Sequence, residues 1–276
     1  MPFVTHHDVR LHVEVSGRGP PIVFAHESAA DHRQWAEQVA VLSDRYRCIT
    51  YNARGYPPSD VPAEDHAYGH EQAWRDLAHI VEHVAGERAH IVGLSMGAYA
   101  GLLLGLYRPD LVATLFLAGC GTGSTREPND ALRDAMIALA ETFATQGSEA
   151  GARQIANSAS RTGFQARDPV GWRAWFDDLV THSPEGMAFT FRNYQGNRPS
   201  LYSFEPALRG MAAPTLLAIG DEDGGCHAVN AFLLKTLPNA RLEIFARCGH
   251  AINLEAPAQF NQTVSDFIVQ HSPQFS

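Results

Sequence analysis

Apolar runs of strand length alternate along most of this chain with segments of helical period, and no other feature constrains the fold as tightly. Residues 9–15 alternate apolar and polar side chains, as a half-exposed strand does. Residues 22–25, Ile-Val-Phe-Ala, are apolar on both faces, as a central strand covered on both sides must be. Asp31 is placed to cap a helix whose buried face carries Trp35, Val39 and Leu42. A strand at 47–51 ends at Asn52-Ala53-Arg54-Gly55-Tyr56-Pro57-Pro58, where glycine and paired prolines forbid regular structure. A helical face (Trp74, Leu77, Ile80, Val81, Val84) spans 71–84; a strand at 90–92 and an apolar helix at 98–107 follow. Arg108-Pro109-Asp110 stops that helix before a buried strand at 115–118. Late in the chain come a strand at 214–219, a helix at 228–236, a strand at 240–245 and a last helix at 257–270. Strands joined through helices run parallel with right-handed crossovers, so the pattern predicts an α/β protein with helices on both faces of the sheet.

Between Gly121 and Gly210 the alternation stops. Helical patterns at 129–145, 148–159, 170–181 and 184–193 carry the aromatics Trp172, Trp175, Phe176 and Phe189. This stretch reads as a helical cap, residues 122–210, inserted into a core made of residues 1–121 and 211–276. The composition, 45% hydrophobic and 18% charged, suits a globular protein with a substantial core.

Charge narrows the partners. Thirty acidic against 21 basic side chains give a formal charge of −9, whereas a nucleic-acid binder needs a basic face. The same acidity disfavours anionic membrane surfaces. No apolar stretch reaches the ~18 to 20 residues of a membrane helix. Residues 1–8 carry no basic region followed by an apolar run, so no signal peptide is expected. Four cysteines (Cys48, Cys120, Cys226, Cys248) suggest buried thiols in a reducing cytoplasm rather than a disulfide framework.

One short segment carries chemistry. Gly93-Leu94-Ser95-Met96-Gly97 fits G-x-S-x-G, with a strand before it and an apolar helix after it, as a nucleophile elbow requires. The glycines leave room for a sharp turn that exposes the Ser95 hydroxyl over a helix N-terminus. A glycine-bracketed serine is otherwise merely a turn; the flanking strand and helix decide against that reading. A serine hydroxyl needs a base at neutral pH, and the base needs an orienting carboxylate, in the chain order Ser, acid, His for this arrangement. His250 lies on a loop after the penultimate strand, a position few of the other histidines share. Ile219-Gly220-Asp221-Glu222-Asp223 closes another strand and offers three carboxylates. Asp221 and Asp223 both remain eligible on position, and Glu222 reads as solvated loop charge.

These features resemble the α/β-hydrolase superfamily over almost the whole chain. The resemblance rests on Phe24-Ala25-His26 before a helix, Arg54-Gly55-Tyr56 with Ser59-Asp60, Gly-Leu-Ser-Met-Gly, Gly220-x-x-Asp223, and Gly249-His250 followed by Glu255-Ala256-Pro257. It is closest to the branch of bacterial arylesterases, cofactor-free haloperoxidases (perhydrolases) and enol-lactonases. It implies an α/β-hydrolase fold with the cap inserted after the sixth strand, and Asp223 as the acid, with Asp221 the runner-up. It also implies an oxyanion hole from the backbone N–H groups of Met96 and Ser28. The implied activity is hydrolysis of a small-molecule ester or lactone without metal or organic cofactor; a carbon–carbon bond hydrolase and a slow-turnover receptor stay open, as does a homo-oligomer. The Gly-Gly oxyanion loop expected of ring-cleavage-product hydrolases is absent.

The chain also departs from that pattern. Relatives usually carry His-Gly where this chain has His26-Glu27-Ser28. Glu27 is expected to point outward or bond within its loop; the sharper alternative is a contact with a polar or cationic substrate group, or positioning of the hydrolytic water. Asn52 stands where relatives commonly have aspartate, and a structural effect alone is expected. Cys226-His227 and Cys248-x-His250 are spaced too tightly for a usual zinc site, and a Cys226–Cys248 disulfide fits better, since both loops follow late strands. Trp172, Trp175 and Phe176 are candidates to line an apolar pocket if the cap covers Ser95.

Overall fold

Eight strands form one sheet: β1 (Phe3–His6), β2 (Val9–Ser16), β3 (Pro21–Ala25), β4 (Arg47–Tyr51), β5 (Ala89–Leu94), β6 (Val112–Ala118), β7 (Thr215–Gly220) and β8 (Ala240–Phe245). The computed structural model describes residues 3–271. The strand order is β1-β2-β4-β3-β5-β6-β7-β8; β2 runs antiparallel to β1 and β4, and every later pairing is parallel. The expected mostly parallel sheet is therefore present. Strand β1 lacks a signal in the sequence: it is short, and its hairpin turn is His7-Asp8, both at positive φ (47° and 63°) without a glycine.

Side-chain alternation divides the core in two. Ile22 and Phe24 of β3 face one side with Trp35, Phe116 and Phe260, whereas Val23 and Ala25 face the other with Leu77, Leu102 and Leu103. Helices α1 (Ala36–Leu42), α11 (Ile252–Glu255) and α12 (Pro257–His271) belong to the first side. On the second lie α2 (His70–Ile80) and α3 (Met96–Tyr107). Every residue of β3 and β5 is buried, the physical reason β3 reads as an unbroken apolar run and β5 as one interrupted only by His90, whose Nδ1 lies 2.9 Å from the Thr114 hydroxyl. Asp31 caps the short turn before α1, accepting from the Arg33 N–H at 2.9 Å.

Between β6 and β7 the chain forms α4 (Asp130–Gln146), α5 (Ser148–Ala156), α6 (Ala159–Arg167), α7 (Pro169–Leu179), α8 (Pro184–Phe189) and α9 (Glu205–Leu208). Helix α10 (Gly224–Thr236) joins β7 to β8. The sequence pattern at 148–159 reads as one helix, but the chain breaks at Asn157-Ser158 and starts α6 there. Helix α6 escapes a sequence reading because Ser160, Thr162 and Gly163 are poor helix formers. Among the described residues no helix is long and apolar enough to cross a membrane.

All four cysteines are free and buried, which corrects the expected Cys226–Cys248 disulfide. Cys248 packs into the core beside Phe245 and Ile252, whereas the Cys226 sulfur sits 3.0 Å from the Thr122 hydroxyl, so the two thiols serve different neighbours.

Candidate active site

Ser95 occupies the turn between β5 and α3 with φ 53° and ψ −106°, a conformation that L-residues other than glycine rarely hold. Its backbone is fixed on both sides: Ser95 N–H donates to Ala118 O at 2.8 Å, and Tyr99 N–H donates to Ser95 O at 2.9 Å. The bracketing glycines are sterically required. A Cβ at Gly93 would lie 2.6 Å from the Ala98 nitrogen, and one at Gly97 would overlap the Ala25 carbonyl.

His250 lies beyond β8 on a loop held by three carboxylates. Its Nδ1 is 2.6 Å from Asp223 Oδ2, and both residues are buried. Asp221 instead accepts from the Cys248 N–H at 3.1 Å. Glu255 accepts from the N–H groups of Gly249 (2.9 Å) and Ala251 (3.2 Å), so its carboxylate closes the loop around the histidine. Glu222 is not free loop charge, because Arg167 binds it at 2.9 Å and also reaches Glu255 at 2.8 Å. Burial opposes charge on Asp223, yet the adjacent His250 charge and hydrogen bond outweigh it and hold the carboxyl down at about 2. Burial likewise opposes charge on His250, and the Asp223 carboxylate more than offsets it, leaving the imidazole above its ordinary value.

The loop after β3 faces Ser95. Ala53 N–H donates to His26 Nε2 at 2.9 Å, so the proton of the neutral ring sits on Nδ1 and is donated to Glu27 O at 2.7 Å. Burial pushes His26 down to about 4, which keeps it neutral. The Tyr56 hydroxyl donates to Ser28 O at 2.9 Å. Among the described residues the amides of Ser28 and Met96 donate no hydrogen bond.

Glu27 corrects the expectation drawn from its position. It is 1% exposed and neither points outward nor bonds within its own loop. Its Oε2 pairs with the guanidinium of Arg161 on α6, equally buried, whose Cζ lies 4.8 Å over the Trp175 ring. Trp175 Nε1 in turn donates to Ala29 O at 3.0 Å, so α6 and α7 grip the loop from above. Sequence reasoning missed Arg161 because α6 itself was not legible. Glu27 Oε1 and Arg161 Nη1 remain buried without a hydrogen-bond partner.

Ser95, His250, Glu27, Ser28 and Arg161 share a cavity of about 270 Å³. Its apolar wall is Leu132, Met136 and Leu139 of α4, Ile155 of α5, and Phe191. Trp172, Trp175 and Phe176 do not line it. Trp172 and Phe176 stack on each other, 5.4 Å apart and 8° from parallel, and Trp175 backs Arg161. Phe189 stacks on Tyr68 at 5.0 Å. The two Cys-His pairs do not assemble as four ligands: Cys226 and His250 gather with Asp223, whereas His227 Nε2 lies 3.0 Å from Gly220 O and Cys248 packs into the core.

A family model described as alpha/beta hydrolase fold matches residues 20–257. The chain belongs to the alpha/beta hydrolases. Among curated relatives of this alpha/beta hydrolase is a 2-hydroxy-6-oxononadienedioate/2-hydroxy-6-oxononatrienedioate hydrolase of Paraburkholderia xenovorans. It is 26% identical over 271 residues, covering 95% of this chain and 91% of the relative. A 3-oxoadipate enol-lactonase of Acinetobacter baylyi is 25% identical over 273 residues, covering 94% and 92%. The crystal structure of the enol-lactonase from Burkholderia xenovorans superimposes with a TM-score of 0.86 at 25% identity, covering 97% of this alpha/beta hydrolase and all (100%) of that chain. A bromoperoxidase from Bacillus anthracis shares the fold at 21% identity and a TM-score of 0.80, covering 95% and 96%.

Proposed function

We propose that this hydrolase cleaves a small carboxylic ester through a Ser95–His250–Asp223 triad and an acyl-enzyme, with residues 122–210 acting as the cap over the site. The observation that carries the reading is the 2.6 Å contact between His250 Nδ1 and Asp223 Oδ2 beside the cavity that holds Ser95. In the first step His250 Nε2 takes the Ser95 hydroxyl proton as Oγ bonds to the ester carbonyl carbon. The tetrahedral oxyanion is stabilised by the free N–H groups of Ser28 and Met96, donors of this kind being worth about 10²–10³ in rate each. His250 returns the proton to the departing alcohol, leaving an acylated Ser95. Water then loses a proton to His250, attacks the acyl carbon and releases the acid, restoring Ser95. Asp223 holds the imidazole in the productive tautomer and offsets the imidazolium charge. Four unpaired, buried thiols suit a reducing compartment such as the cytoplasm.

The relatives' names favour a second reading with the same residues: a lactone or a carbon–carbon bond in place of the ester. Buried donors in the cavity wall, Arg161 Nη1 and Gln195 Nε2, are left unpartnered and would suit a substrate carrying an acceptor group away from the scissile bond. A panel of p-nitrophenyl esters of increasing acyl length, with lactones and vinylogous 1,5-diketones alongside, separates these chemistries. Turnover of esters that vanishes in Ser95→Ala is expected. Turnover confined to lactones or diketones moves the assignment to those bonds, and binding without any turnover would make the chain a receptor.

A further inference from the structure

A second cluster of chemistry-bearing side chains lies on β2, outside the Ser95 cavity. His12 and Glu14 are two residues apart on this strand and therefore project from the same face, while Leu11 and Val13 between and beside them enter the core. His32, in the turn before α1, meets them there. Its Nε2 lies 3.4 Å from Glu14 Oε1, and His12 Nε2 lies 3.8 Å from the same oxygen. We infer that His12, Glu14 and His32 form a binding site for one divalent transition-metal ion of the zinc class.

The spacing of the three side chains suits one shared ion. Ligand atoms about 2.0–2.2 Å from a tetrahedral zinc ion stand roughly 3.3–3.5 Å from one another. Of the two separations measured to Glu14, 3.4 Å lies within that range and 3.8 Å slightly exceeds it, and all three ligand atoms fall within 4.8 Å of one another. At 3.4 and 3.8 Å neither contact is a hydrogen bond, so the three side chains are gathered without satisfying each other. Glu14 is 57% exposed at its side chain, free to close on an ion and to leave a fourth position for water, while both imidazoles are nearly buried.

The protonation pattern fits as well. Asn52 Nδ2 donates to Pro57 O at 2.8 Å and to Tyr56 O at 3.2 Å, which orients its Oδ1 toward His32. That oxygen accepts from the His32 backbone N–H at 2.9 Å and from Nδ1 at 2.6 Å. In its neutral form the ring thus carries its proton on Nδ1 and turns the Nε2 lone pair toward Glu14. Such an outer contact is what fixes the tautomer of metal-binding histidines. An ion here would tie β2 to the segment that follows Ser28, and binding to the folded state alone would raise its stability.

The test is calorimetric titration of the chelator-treated full chain with Zn²⁺ alone, together with the visible spectrum of the Co²⁺-loaded protein. Expected are one tight equivalent, a Zn²⁺-dependent rise in Tm, and the intense d–d bands of a four- or five-coordinate Co²⁺. Glu14→Gln, on an exposed side chain that the fold does not need, should weaken binding by at least roughly tenfold. His32→Ala should abolish it, and His79→Ala/His83→Ala, at the separate exposed cluster of His79, Glu82 and His83, should leave it intact. Zn²⁺ affinity unchanged in Glu14→Gln and His32→Ala, or lost only in the His79/His83 variant, would overturn the assignment.

Discussion

Asp221 and Asp223 follow the same strand two positions apart, yet they make different contacts. Asp221 takes the Cys248 N–H and so shapes the loop, while Asp223 faces the imidazole. Chain position and composition could not separate them, because the difference lies in how the loop beyond β8 folds back over β7. The division has a kinetic consequence. His250 must be neutral to accept the Ser95 proton, and its pKa is raised by Asp223 against the opposing effect of burial. Activity should therefore be lost on acidification with a midpoint in kcat/KM above the ordinary imidazole value of about 6.5. Asp223→Asn should lower that midpoint and cut kcat by on the order of 10⁴, whereas Asp221→Asn should keep the midpoint. Profiles of kcat/KM against pH for the three proteins test this; a wild-type midpoint below the ordinary value, or one unmoved in Asp223→Asn, would contradict the role given to Asp223.

Among the elements, α6 and the loop after β3 are joined by the Glu27–Arg161 pair, both side chains almost wholly buried. Strands β2 to β8 and the long helices were legible in the sequence because burial on one or both faces writes a period into the residues. Helix α6 was not, since its composition is weakly helical and only packing holds it. Glu27 was recognisable as a departure, but its partner, 134 residues away, was not. Removing one member of a buried pair leaves the other charge stranded, a loss of about 3–5 kcal/mol, while replacing both by groups of similar volume is often near neutral. Glu27→Gln should thus destabilise strongly, and Glu27→Gln combined with Arg161→Met should recover most of the loss. Urea unfolding of the wild type and both variants measures it. A single variant within about 0.5 kcal/mol of wild type, the range of an ordinary surface change, would show that the pair does not anchor the loop.

At the scale of the whole molecule, the sheet places the serine turn, the acid and the histidine at the ends of β5, β7 and β8, while the inserted helices supply the cavity wall. The first half of that design was legible from the G-x-S-x-G turn and the late Asp and His. The second was not: Leu132, Met136, Ile155 and Phe191 come from separated helical turns, and no local pattern sets them apart from ordinary core residues. The aromatic-rich helix α7 suggested a pocket and instead braces Arg161. On the proposed reading, substrate choice resides in the part of the chain that sequence reads least well, and the chemistry in the part it reads best. The central claim, a nucleophilic Ser95 activated by His250, is tested most directly by reacting the protein with a fluorophosphonate and locating the adduct by peptide mass mapping. A single adduct on Ser95, absent in Ser95→Ala and strongly slowed in His250→Ala, is the predicted result; an unlabelled wild type, or an adduct that survives Ser95→Ala, would contradict it.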